Sequence, residues 1–87
     1  MIERKMKKEE ITYPQYRKYL NGKNYFKIIS ADELEEIHYV GKKCFVSILK
    51  ARILPDRNFI HDLTFDVQVA VVISAGEYGR VRGECGK

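Results

Sequence analysis

Apolar residues concentrate between Lys43 and Ile73 in two runs, KCFVSILKARIL and FIHDLTFDVQVAVVI, separated by PDRN. In the second run every odd position from Phe59 to Ile73 is apolar apart from His61, while Asp62, Thr64, Asp66 and Gln68 fill even positions between them. A period of two over that length predicts a strand with one buried face. Pro55-Asp56-Arg57-Asn58 brings turn chemistry, with Pro presetting φ and Asn tolerating a left-handed backbone. The pattern therefore predicts a long β-hairpin, residues 43–54 and 59–73, closed by a three-residue loop Asp56–Asn58. Phe45, Leu49, Ala51 and Ile53 would then face Phe59, Leu63, Phe65, Val67 and Val69 on the buried side. Lys50 and Arg52 would lie near Asp62 on the solvated side, a cross-strand arrangement worth a fraction of a kcal/mol.

Upstream, helix-start grammar occurs twice. Thr12 with Gln15 forms a capping box, Ile11 and Tyr16 a hydrophobic staple, Pro14 falls in the first turn and Asn21-Gly22 supplies a stop, predicting a helix over 12–21. Asn24 to Ile29 predicts a short strand with Phe26 and Ile28 on one face and Tyr25, Lys27 and Ile29 on the other. Ser30 with Glu33, Ile29 with Leu34, and a terminating Gly41 predict a second helix over 30–40. The segment Ile73-Ser74-Ala75-Gly76-Glu77-Tyr78 echoes Ile29-Ser30-Ala31-Asp32-Glu33-Leu34 and predicts a short C-terminal helix over 74–81, weakened by Gly76 and Gly79. The expected fold is α+β: a small three-stranded, mostly antiparallel sheet whose long hairpin is packed by two helices and a short third one. Residues 1–10 read as a flexible charged lead-in, 11–82 as one domain and 83–87 as a flexible tail.

Composition narrows the class. Eighty-seven residues make one domain with a modest core. No apolar run approaches the roughly 20 residues that span a bilayer, and no apolar stretch follows the charged start, so a cytoplasmic location is expected. Of the two cysteines, Cys44 lies in apolar company and is expected as a buried thiol, and Cys85, in a Gly-rich tail, as exposed. Nothing in the sequence supports a bond between them. Basic blocks (1–27, 42–58) alternate with acidic ones (28–41, 59–77), which favours pairing within the fold over one continuous basic surface.

Candidate chemistry is sparse. His38, His61, Cys44 and Cys85 lack the spacing of a zinc site, and His61, on an apolar face, reads as a core residue with one hydrogen bond. A cysteine within an apolar strand is inert, and Ser47, expected on the buried side, has no visible base. Asp62 and Asp66 fit a solvated strand face, and neither GxxxxGK[ST] nor GxGxxG occurs. No catalytic residue, cofactor, metal or small-molecule substrate is expected. Arg17, Lys18, Lys23, Lys27, Lys42 and Lys43, interleaved with Tyr16, Tyr19 and Tyr25, suit phosphate contacts and base stacking. Val46 and Ile48, on the strand face away from the expected core, form with Lys50 and Arg52 a candidate surface for a protein partner or for self-association. The expected function is a non-enzymatic binding or assembly module acting through protein contacts, with nucleic-acid binding as the alternative.

Overall fold

Asn21-Gly22 and Gly41 decide the first half of the chain. Both glycines have positive φ, +72° and +62°, a left-handed backbone that reverses the chain without the steric penalty of a Cβ. The computed structural model describes residues 11–85. In it β1 (Gln15–Lys18), β2 (Asn24–Ser30), β3 (Glu33–Val40) and β4 (Lys43–Lys50) form an antiparallel meander. A two-residue strand, β5 (Val71–Val72), pairs beyond β1, so the sheet runs β4-β3-β2-β1-β5. With helices α1 (Leu54–Phe65) and α2 (Ala75–Cys85), the described residues form an α+β domain whose sheet has five strands rather than three.

The helix expected over 12–21 is a strand. Instead of capping a helix, the Gln15 amide donates to the Thr12 carbonyl at 2.6 Å, and Asn21-Gly22 is a hairpin turn rather than a stop. Asn-Gly between two extended runs is among the strongest short-range hairpin signals. The helix expected over 30–40 is also overturned. Ser30 Oγ donates to Asp32 Oδ1 and accepts from the Asp32 amide, building a turn between β2 and β3. Leu34 and Ile37, three apart and both fully buried, imitate a helical face. In β3 they point to opposite sides of a sheet that is covered on both.

The hairpin's second arm is overturned as well, because residues 54–65 coil into α1. Pro55 sits in its first turn, where the missing N–H is harmless, and Ile60, Leu63 and Thr64 are buried at helical spacing. Of the residues expected on the common buried side, Leu63 is fully buried, whereas Phe45 and Val67 are 52% and 77% exposed. Asp62 is exposed on α1, so the expected arrangement with Lys50 and Arg52 does not form.

Three expected elements hold, the first being the opening arm of the hairpin, which is strand β4 over Lys43–Lys50. The strand over 24–29 is β2, with Phe26 and Ile28 buried on one face. The Ser74 hydroxyl accepts from the Glu77 amide at 3.0 Å, Ile73 and Tyr78 share a core, and α2 runs to Cys85, past the expected end at 81.

Each sheet face has its own small core. Phe26, Ile28 and Leu34 pack with Ile60 and Leu63 of α1 and with Ala70. On the other face Ile37 packs with Ile73 and with Tyr78 and Val81 of α2, flanked by Tyr16, Tyr25 and Tyr39. The chain therefore leaves β4, crosses one face as α1, enters the far edge as β5, and returns across the other face as α2. Cys85 meets Cys44 there in a disulfide with Cα atoms 5.5 Å apart, which replaces the free buried thiol expected at Cys44. Among the described residues no helix is long and apolar enough to cross a membrane.

Candidate functional site

The two sheet edges are unequal. β1 is covered along its outer side by β5, which is only two residues long, whereas β4 presents eight residues that, among the described residues, are paired on the β3 side alone. Its register places Phe45 opposite His38, Ser47 opposite Glu36 and Leu49 opposite Leu34 on the α1 face. Cys44 stands opposite Tyr39, Val46 opposite Ile37 and Ile48 opposite Glu35 on the α2 face. α1 packs at the Leu49–Ala51 end of the first face, and the last turn of α2 is tied to β4 through Cys44 on the second. Phe45, Val46 and Ile48 consequently keep 52%, 37% and 52% of their surface in water.

Long apolar edges are usually blunted, because their unpaired backbone groups template further strand pairing. On β4 the blunting is confined to the ends. Lys42 and Lys43 stand at one end, Lys50 and Arg52 at the other, all exposed, and none forms an ion pair among the described residues. Glu33 faces Lys50 across the ladder without closing on it.

Next to Phe45 lies a polar cluster. Asn24 Nδ2 donates to Glu36 Oε2 at 2.7 Å and lies 2.8 Å from His38 Nδ1. The amide has two hydrogens to give, so serving both partners makes Nδ1 the acceptor and puts the proton of neutral His38 on Nε2. The cluster satisfies itself: Ser47, opposite Glu36 and exposed rather than buried as expected, bonds to none of its members. Among the described residues no group of histidine, cysteine and carboxylate side chains is arranged to hold a metal. His61 lies exposed on α1 against the ring of Phe65, not on a buried strand face. With Tyr13 and Arg57 it lines a shallow depression of about 230 Å³. Arg57 is already turned to Asp32 at 3.7 Å.

The six residues expected to contact nucleic acid are not brought together. Arg17 is 5% exposed and donates to the Thr64 carbonyl at 2.8 Å, to Gln15 Oε1 and to the Tyr16 carbonyl. Desolvation lowers its pKa from the ordinary value. Lys18 pairs with Glu77 of α2 at 3.1 Å. Lys27 is half-buried between Tyr16 and Glu35 in the ladder. Lys23 and Lys42, in the two turns, and Lys43, the first residue of β4, are exposed at one end of the sheet. The tyrosines are committed too: Tyr16 packs on Tyr78, Tyr19 on Phe26 and Tyr25 on Tyr39. Val46, Ile48 and Lys50, in contrast, do lie along one edge, with Arg52 two residues beyond its end.

Phe45 is the site residue that alternation hides, since odd positions were expected to face the core. The signal that finds it is the unbroken apolar run Cys44-Phe45-Val46-Ser47-Ile48-Leu49. Such a run fits a strand covered on both faces, and two short helices cannot supply that cover at a sheet edge. Comparison with protein-family models, with curated proteins and with solved structures gave no match.

Proposed function

We propose that this chain is a non-enzymatic binding module that takes up an extended segment of a partner protein along β4. The observation that carries the reading is the open edge: eight residues paired on one side, with Phe45, Val46 and Ile48 exposed at its centre. Strand addition draws affinity from main-chain hydrogen bonds and selectivity from alternate side chains, and β4 offers both kinds of contact. The nucleic-acid reading has weaker support, because Arg17, Lys18 and the tyrosines are engaged inside the fold. A chain working in a reducing cytoplasm would carry Cys44 and Cys85 as thiols; the bonded pair suits an oxidising compartment instead.

The test is a random-peptide display selection against the oxidised protein, followed by amide chemical-shift mapping of the selected peptides. Shifts confined to Lys43–Lys50 and lost in Ile48→Glu are the expected result. Peptides that map to the depression beside Arg57 and His61, or that still bind Ile48→Glu, would remove β4 from the reading.

A further inference from the structure

We infer that the segment β4 accepts carries acidic residues at both ends of a short apolar centre, and that it comes from another protein rather than from a second copy of this chain. The inference rests on the β4 docking reading and adds the chemistry of the occupant.

Charge placement is its source. Lys42 and Lys43 mark one end of β4, Lys50 and Arg52 the other, with no ion pair to any of them among the described residues. Lys43 and Lys50 are separated by roughly 23 Å of extended chain. Between them only apolar side chains, Ser47 and the bare backbone ladder are available. A strand laid along this edge meets positive charge at each end and apolar surface on both faces in the middle: Phe45 on the α1 side, Val46 and Ile48 on the α2 side. Carboxylates opposite the lysines complete cross-strand pairs of opposite sign, and lysines there would repel.

The same placement works against self-pairing. Two copies joined antiparallel over the whole of β4 set Lys43 of each against Lys50 of the other, twice by symmetry. Sliding the register by one residue opposes Lys42 to Lys50 in one direction and Lys42 to Arg52 in the other. Every near-complete overlap therefore places like charges directly opposite one another. Nucleic acid would meet the positive ends but would use neither the backbone ladder nor the three apolar side chains.

The experiment uses three short synthetic peptides that share an alternating valine–threonine centre and end in aspartates, in asparagines or in lysines. Each is titrated against the oxidised full chain, and its contacts are mapped by amide shifts. The aspartate-ended peptide is expected to bind about tenfold tighter than the asparagine-ended one, with the lysine-ended one weakest. The quadruple variant K42E/K43E/K50E/R52E, which reverses the sign of both ends, is expected to invert that order; all four sites are exposed, and circular dichroism checks that its fold is retained. Equal binding of all three peptides at β4 would overturn the acidic-end inference and leave edge docking standing. Loss of all peptide binding with a concentration-dependent dimer in sedimentation would assign the edge to a second copy and overturn it too. If backbone N-methylation leaves the affinity unchanged, or if a single-stranded oligonucleotide displaces the peptide through the same lysines, both the inference and the docking reading fall.

Discussion

The guanidinium of Arg17 on β1 lies 2.8 Å from the carbonyl oxygen of Thr64, one of the last carbonyls of α1 and without a partner inside the helix. The final turn of α1 holds no basic residue of its own, so a strand side chain supplies the cation that suits the negative end of the helix. Arg17→Met is expected to destabilise the fold by about 2–3 kcal/mol in urea titration, because it removes a charged donor from a buried acceptor. Arg17→Lys is expected to recover only part of that loss, since an ammonium cannot reproduce the fork that also reaches Gln15 and Tyr16. A role confined to nucleic-acid contact would leave both midpoints at the wild-type value.

The Cys44–Cys85 bond closes a long covalent loop, with 41 residues of sequence separation, around the central strands. Loop-closure entropy puts the stabilisation at about 4 kcal/mol. Cys85→Ser is expected to lower stability by up to that amount and to lose amide protection first in the last turns of α2. Uniform loss of protection across α1 and α2 would show instead that the bond holds the whole fold rather than one helix.

Gly79 lies in α2 with no atom beyond its chain neighbours and the helix's own backbone within 4 Å of the position its Cβ would take. Gly79→Ala is therefore expected to raise stability by up to about 1 kcal/mol through helix propensity alone. Gly41→Ala, at φ +62°, should lower it by about as much, although the space there is equally open. The two denaturation midpoints moving in the same direction would contradict this account of either glycine.

Tyr78 donates to Glu35 Oε1 at 2.7 Å and is nearly fully buried, so burial first and the bonded carboxylate second hold its phenol well above the ordinary pKa. Below about pH 10 folded and unfolded chains both keep the proton, and Tyr78 adds no pH dependence. Above it the unfolded chain releases the proton while the folded one retains it, so stability falls by up to about 1.4 kcal/mol per pH unit. Tyr78→Phe is expected to lose about 1 kcal/mol at neutral pH and to show a shallower decline in alkali. Parallel pH profiles for the two proteins, from thermal melts, would refute this linkage.

Local chemistry was legible where it has one meaning. The alternation in Asn24–Ile29 is the strand β2, and Ser74 with Glu77 starts a helix whose staple, Ile73 and Tyr78, closes as expected. Ser30 and Asn21-Gly22 were ambiguous because a hydroxyl that caps a helix also closes a turn, and a glycine that stops a helix also reverses a hairpin. At the candidate site, Val46, Ile48, Lys50 and Arg52 could be picked out along the chain. That the first three lie on an open edge, with Phe45 beside them, depends on which strand is outermost.

By itself, then, the sequence determined the α+β class, the strands β2 and β4 and the start of the last helix, since each rests on patterns among residues close along the chain. Tertiary structure decided the rest. A sheet with a helix on each face buries Leu34 on one side and Ile37 on the other, a spacing that mimics a helix until both covers are in place. Ile60 and Leu63 coil because helical spacing aims both at Phe26, Ile28 and Leu34. Cys44 meets Cys85, and Arg17 meets Thr64, only because the chain travels around the sheet and returns. Contacts of that separation are fixed by the packing of whole elements, which no local pattern encodes.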